Sequence, residues 1–157
     1  MEPIIIQFTA NSLGRVEFRA GVQTGDDLSH KKISFKLDSG SDFTTLSCED
    51  LSLLGYSQEI LRSCPFHGNE PSTAFSDTKP HLRYMTNISI KFGDRELQNC
   101  RIFFALDTKL KSLFGSDILK YFNREVNYDE GKLYLRKRIV EPELSRDETP
   151  IQIYSLD

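Results

Sequence analysis

Asp38 is the residue whose setting best suits chemistry. It lies in Leu37-Asp38-Ser39-Gly40-Ser41, directly after a stretch in which Ile33, Phe35 and Leu37 alternate with Ser34 and Lys36. That alternation predicts a half-buried strand, so the carboxylate is expected at a strand end, on rigid scaffold. Gly40 permits a tight backbone path close to substrate or to another chain. Ser39 and Ser41 add hydroxyls able to hydrogen-bond the carboxylate or the neighbouring backbone. A carboxylate held in this way can accept and return protons as a general base or acid. Asp-Ser-Gly is also an ordinary turn sequence, so its meaning depends on context.

Other chemistry-bearing residues form weaker patterns. Cys64-Pro65-Phe66-His67 has the spacing of half a zinc site, with His81 and Cys100 available, but nothing supplies a second half at a recognised spacing, and no metal is expected. Cys48 or Cys100 as a nucleophile would need a base, and no histidine has a motif beside it. Asp117, at the start of an expected helix, reads as a capping residue that meets free amides and the positive dipole end. Asp94, Asp107 and Asp129 read as turn formers.

The elements that must position Asp38 are mostly short strands. Apolar runs or alternation mark strands over 3–9, 15–23 and 33–37, separated by turns at 11–14 and 24–27. Ser47 followed by Asp50 is a capping-box pattern opening a helix over 51–54 that Gly55 can end, with further helical turns over 56–62. Residues 63–80 contain three prolines and a glycine without a clean period; they read as a long loop or open hairpin, a length often functional in compact domains. Strands follow over 81–92 and 97–106 about the turn Gly93-Asp94. Then come a helix over 117–122 and a hairpin joining 126–128 to 133–135. The acidic stretch 141–150 leads to residues 151–154, which are able to pair as a terminal strand. The expected fold class is all-β with one or two short helices, arranged as a domain over 1–138 and an acidic tail over 139–157.

Composition narrows the partners. A formal net charge of −3 and a single short basic cluster, Arg136-Lys137-Arg138, argue against nucleic acid. No apolar run approaches the roughly 20 residues that span a bilayer, and the amino terminus carries Glu2 where a secretory leader would be basic. Three cysteines make no disulfide framework, which suits reduced thiols. A cytoplasmic protein with no membrane partner is the expectation.

Leu37-Asp38-Ser39-Gly40-Ser41-Asp42 resembles the apolar-Asp-Thr/Ser-Gly-Ala/Ser signature of aspartic proteases, with Asp42 resembling the retroviral form. Ser112-Leu113-Phe114-Gly115-Ser116-Asp117-Ile118-Leu119 resembles the second signature of that family, two apolar residues and a glycine before a short helix. Asn127-Tyr128-Asp129 and the hairpin after it resemble the closing segment of bacterial retropepsin-like domains. The similarity to the retropepsin-like family runs roughly from Ile4 to Arg136. It implies a closed acid-protease barrel in which each subunit gives one aspartate, so that a complete site takes a homodimer with two Asp38 carboxylates about its axis. Support would come from Ser39, Gly40, Ser41 and Asp42, and from Leu113, Phe114 and Gly115. A flap over an extended peptide or protein substrate would be drawn from Gly68 and from Ser72, Thr73, Ala74 and Phe75. No cofactor is implied. Two features depart from the pattern: retroviral members place arginine, paired with the aspartate matching Asp42, where this chain has Ser116, and the expected flap lacks a glycine-rich tip. The resemblance therefore carries two functions, an aspartic endopeptidase that activates water between paired carboxylates, or a peptide-binding or dimerisation module that keeps the fold without turnover.

Overall fold

The computed structural model describes residues 2–25, 29–68 and 81–156. In β1 (Ile4–Ala10) the residues Ile4, Ile6 and Phe8 are buried while Ile5, Gln7 and Thr9 face outward, the period-two pattern of a strand with one face on a core. β2 (Val16–Gln23) and β3 (His30–Leu37) form an antiparallel pair in register from Glu17↔Lys36 to Gln23↔His30. One edge of β2 changes partner along its length. It pairs with β1 through Phe18↔Phe8 and then with β4 (Arg83–Phe92) through Gly21↔Lys91 and Val22↔Ile90. β4 turns at Gly93 into β5 (Arg95–Phe104).

Two short helices precede β4. In α1 (Cys48–Leu53) the Ser47 hydroxyl accepts from the Asp50 amide, so the expected cap is formed, and Gly55 follows at φ +88°. α2 (Gln58–Ser63) is capped in the same way by Ser57. After β5 come β6 (Leu113–Phe114), α3 (Ser116–Leu119), the hairpin β7 (Phe122–Asn127) and β8 (Lys132–Lys137), and finally β9 (Gln152–Ser155). α3 is shorter than the expected 117–122 helix. Arg138 donates its amide to the Tyr121 carbonyl and Phe122 pairs with Lys137, so hairpin pairing captures residues whose apolar spacing also suited a helix. β9 pairs with β5 from Gln98↔Gln152 to Arg95↔Ser155. The chain leading to it is tied down by Lys120 Nζ, 2.9 Å from both Glu148 carboxylate oxygens, and by the Tyr121 hydroxyl, which accepts from the Ile151 amide.

Among the described residues the sheet is not closed, so the closed barrel expected above is not formed by them. Its hydrogen-bonded path runs β7-β8-β1-β2-β4-β5-β9, with β3 branching from β2 and β6 pairing with β3. Closure would need the two end strands to pair, and among the described residues β9 occupies the outer edge of β5 while β7 bonds only β8. No helix among the described residues is long and apolar enough to cross a membrane.

The core is centred on Phe114. Its ring, fully buried, meets those of Phe18, Phe35 and Phe92 edge-on at centroid distances of 5.2, 5.6 and 5.8 Å, an arrangement favoured by the ring quadrupoles. A residue of the second motif is therefore the point where strands β2, β3 and β4 converge.

Candidate active site

Strand β3 delivers Asp38 as expected, and backbone bonds hold it there. β6 lies parallel to the end of β3, with Lys36↔Leu113 and Leu37↔Phe114 in register, and the Asp38 amide donates to the Phe114 carbonyl at 3.0 Å. The chain then turns: the Ser41 amide donates to the Asp38 carbonyl at 3.1 Å, and the Gly40 amide to Asp38 Oδ1 at 3.0 Å. The second bond fixes the rotation of the carboxylate. Asp38 is half-buried while Ser39 and Gly40 are exposed, so the acid sits at an open tip with a rigid base. A Cβ on Gly40 would lie 3.3 Å from Asp38 Oδ1; the glycine leaves room beside the acid.

The second motif interlocks with this loop. A Cβ on Gly115 would fall 2.5 Å from the Phe43 carbonyl oxygen and 2.9 Å from that of Ser41, a clearance only glycine has. The Ser116 amide donates to the Ser41 carbonyl at 2.8 Å, and Thr45 exchanges both backbone bonds with Leu113. The Ser41 hydroxyl donates to the Phe43 carbonyl at 2.8 Å. Leu113, Phe114 and Gly115 are thus brought directly against the Asp38 turn. Asp42 is exposed at its rim.

Two further residues complete the lock: Thr44, which the sequence did not single out, and Asp117, whose expected role was that of a cap. Thr44 is fully buried; its hydroxyl accepts from the Gly115 amide at 3.0 Å and donates to Asp117 Oδ1 at 2.7 Å. Asp117 also accepts from the Ile118 amide at 2.9 Å. It meets a first-turn amide, as a capping residue would, but the N-cap position belongs to Gly115 and the carboxylate reaches outside its helix to Thr44. Burial pushes the Asp117 carboxyl above the usual aspartate range, against its hydrogen bonds from Thr44 and Ile118 and the nearby Arg101 charge. The available signal was the Thr44-Thr45 pair, whose β-branched side chains by themselves suit any strand.

Beside the loop stands an aromatic cluster. Phe43 packs on Phe103 at 4.3 Å and on His67 at 4.8 Å, with Tyr84 5.7 Å from Phe103. His67 belongs to a two-stranded base in which Phe66 bridges Arg83, the His67 amide donates to Leu82 and the Tyr84 amide to Pro65. Gly68, at φ +85°, ends the described part of that base. The other expected flap residues, Ser72, Thr73, Ala74 and Phe75, lie outside the described residues.

The rival constellations are dispersed. His81 Nδ1 lies 2.7 Å from Asp107 Oδ2, Cys100 is buried with its thiol pushed up by desolvation, and the Cys64 thiol donates to the Ile60 carbonyl. Among the described residues, no three His, Cys, Asp or Glu side chains group so as to hold a metal ion. A cavity of about 680 Å³, between α1 and residues 106–112, includes no residue of the Asp38 turn; it gives no reason to move the site.

No family model matches the sequence, and no curated protein matches it. Among solved structures, the chain is similar to a retropepsin-like aspartic protease from Rickettsia conorii, with 24% identity over 85% of this chain and 89% of the other and a TM-score of 0.58. The fold is retropepsin-like and mostly β.

Proposed function

We propose that the chain is an aspartic endopeptidase that acts as a homodimer, with Asp38 of each copy in one site. The observation that carries this reading is the Asp38 turn. Its carboxylate is oriented by the Gly40 amide and its backbone is locked by Phe114 and Gly115, yet the tip is open to solvent. Such a half-site has no obvious use for its rigidity unless a second group meets it there. The chain supplies one Asp-Ser-Gly, so a second copy is the natural source, through an isologous contact that brings the same turn to both sides.

Two carboxylates brought within a few ångströms share one proton, because both cannot ionise easily together. The ionised member takes a proton from a water held between them as the water oxygen attacks the scissile carbonyl. The protonated member hydrogen-bonds the carbonyl oxygen and steadies the tetrahedral intermediate. Collapse of that intermediate breaks the C–N bond, the amine leaves with a proton, and the pair returns to its singly protonated state. The reaction forms no covalent enzyme intermediate. An extended peptide would be gripped mainly through backbone bonds, as an added strand.

The test is cleavage of a diverse peptide mixture between about pH 4 and 7, the range set by the need for one proton on the pair, comparing wild type with Asp38→Asn. Cuts made by wild type and lost in the variant, at concentrations where sedimentation shows a dimer, are the expected result. A folded wild type that cuts nothing would shift the reading to a peptide-binding or dimerisation module.

A further inference from the structure

Asp117 is a partly desolvated carboxylate that the proposed reaction does not use, and its contacts run toward the site. One of its oxygens holds both the Thr44 hydroxyl and the Ile118 amide. Thr44 cannot donate to two groups at once, so donating to Asp117 leaves its lone pairs free to accept from the Gly115 amide. A carboxylate, which only accepts, thereby sets the direction of the whole chain of bonds. Without it the Thr44 hydroxyl could turn its proton elsewhere, and the buried Gly115 amide would lose a well-aligned acceptor. Gly115 is also the residue with no clearance against Phe43 and Ser41, and its neighbours Phe114 and Ser116 bond the backbone of Asp38 and Ser41.

We infer that Asp117 is a positioning residue, which acts through Thr44 and Gly115 to keep the turn carrying Asp38 in register. This rests on the reading of Asp38 as the reacting acid. The groups around the carboxylate are Thr44 from the loop, Ile118 on its own helix, and Arg101 and Cys100 from β5. Arg101 favours the ionised form and supplies the one formal charge among them. Asp117 would therefore control the loop by ionisation as well as by shape: the ionised oxygen takes the Thr44 proton strongly, and the protonated acid competes with Thr44 as a donor.

Asp117→Asn, Asp117→Ala and Thr44→Ser test this, read by backbone amide spectra and hydrogen exchange as well as by peptide cleavage. In wild type the Gly115 amide resonance is expected to titrate with a midpoint above the usual aspartate range, and Asp117→Asn should remove that titration. Exchange should quicken at Gly115, Ser116 and Ser41 in the Asp117 variants while β7 and β8 stay protected. Asp117→Asn should lower kcat about ten- to hundredfold at little change in KM, as expected when a reacting group is displaced slightly, and Thr44→Ser, which keeps the hydroxyl, should stay near wild type. If Asp117→Asn leaves both the Gly115 titration and kcat unchanged, or if exchange rises equally across β7 and β8, the inference is overturned. Cleavage absent from wild type itself, with the amide changes as expected, would instead overturn the reading of Asp38 and leave the Asp117 lock standing.

Discussion

Gly115→Ala is the sharpest perturbation of the interlock, because at this residue backbone conformation and space can be separated. Gly115 has φ −100° and ψ −177°, extended backbone that alanine adopts without strain. The obstacle is wholly steric. The new methyl would sit 2.5 Å from the Phe43 carbonyl oxygen, 2.6 Å from its carbon and 2.9 Å from the Ser41 oxygen. Ordinary contact begins near 3.4 Å, so the closest atom must retreat by about 0.9 Å. All three are backbone atoms, and no rotamer change relieves them. Overpacking of this kind costs about 1–3 kcal/mol, and the upper end is expected where backbone must move. At roughly 2–4 °C per kcal/mol for a chain of this size, the melting temperature should fall by roughly 6–12 °C. The displaced backbone is that of Ser41 and Phe43, three and five residues from Asp38, so cleavage should drop about a hundredfold. Urea denaturation, with amide exchange at Asp38, Ser41 and Ser116, gives the readout. Gly14→Ala is the control, with open space but φ +75°, where backbone strain costs about 1–2 kcal/mol without touching the turn. A Gly115→Ala protein that matches wild type in stability and keeps its Ser116 amide protected would refute the interlock.

Phe114→Ala should destabilise the fold by about 3–5 kcal/mol, since three rings lose their common partner; equilibrium denaturation measures this, and a cost under about 1 kcal/mol would remove Phe114 from the centre of the core. Asp117 and Glu148 should show opposite pH dependences of stability. The folded-state shift of Asp117 is upward, so its contribution is fully present below the unfolded aspartate range and is lost as pH rises through the higher folded value; Asp117→Asn should flatten that part of the melting profile. Burial raises the Glu148 carboxyl, but Lys120 and Ser145 outweigh it and the net shift is downward. Its contribution is present above the usual glutamate range and lost as pH falls through the lower folded value. Acid, or Glu148→Gln at neutral pH, should therefore speed amide exchange at Ile151, Ile153 and Leu156, and unchanged exchange there would show that the Lys120 pair does not hold the tail.

Much of the framework was legible because it rests on local rules. Alternation over Ile33 to Leu37 located the strand that delivers Asp38, and Ser47 with Asp50 located the first helix start, since each signal is written in neighbouring residues. Sheet topology was not legible in that way. That β2 shares one edge between β1 and β4, and that β9 takes the outer edge of β5, are pairings between residues dozens of positions apart. The resemblance suggested closure, and the register of the described strands does not show it. Around the site, the Asp38 turn and the 113–115 motif were read separately, and their proximity follows from the parallel β3–β6 pairing. Thr44 was passed over because a buried hydroxyl that relays between an amide and a carboxylate looks, in sequence, like any β-branched strand residue. The extent of α3 was misjudged because Ile118, Leu119, Tyr121 and Phe122 satisfy a helical stripe, while Phe122 is claimed by β8.

The missing arginine after Gly115 bears on how the turn is held. The resemblance implies an arginine there, paired with the aspartate matching Asp42 and supporting the dimer. Here Asp42 is exposed and position 116 is serine, yet the Ser116 amide bonds the Ser41 carbonyl and the Asp38 amide bonds Phe114. These are backbone bonds, indifferent to the side chains at 42 and 116, and a carboxyl group sits one residue on, at Asp117, beneath the loop. An exposed ion pair contributes at most about 1 kcal/mol and weakens with salt, whereas a buried amide left without its acceptor costs about 1–3 kcal/mol. A tie in the interior, through Thr44 and Asp117, is therefore less sensitive to ionic strength than an exposed ion pair and more sensitive to the protonation of one carboxylate. It follows that Asp42→Asn should change little in the isolated subunit, and that Asp117 and Thr44, beneath the turn, are where substitution should displace Asp38.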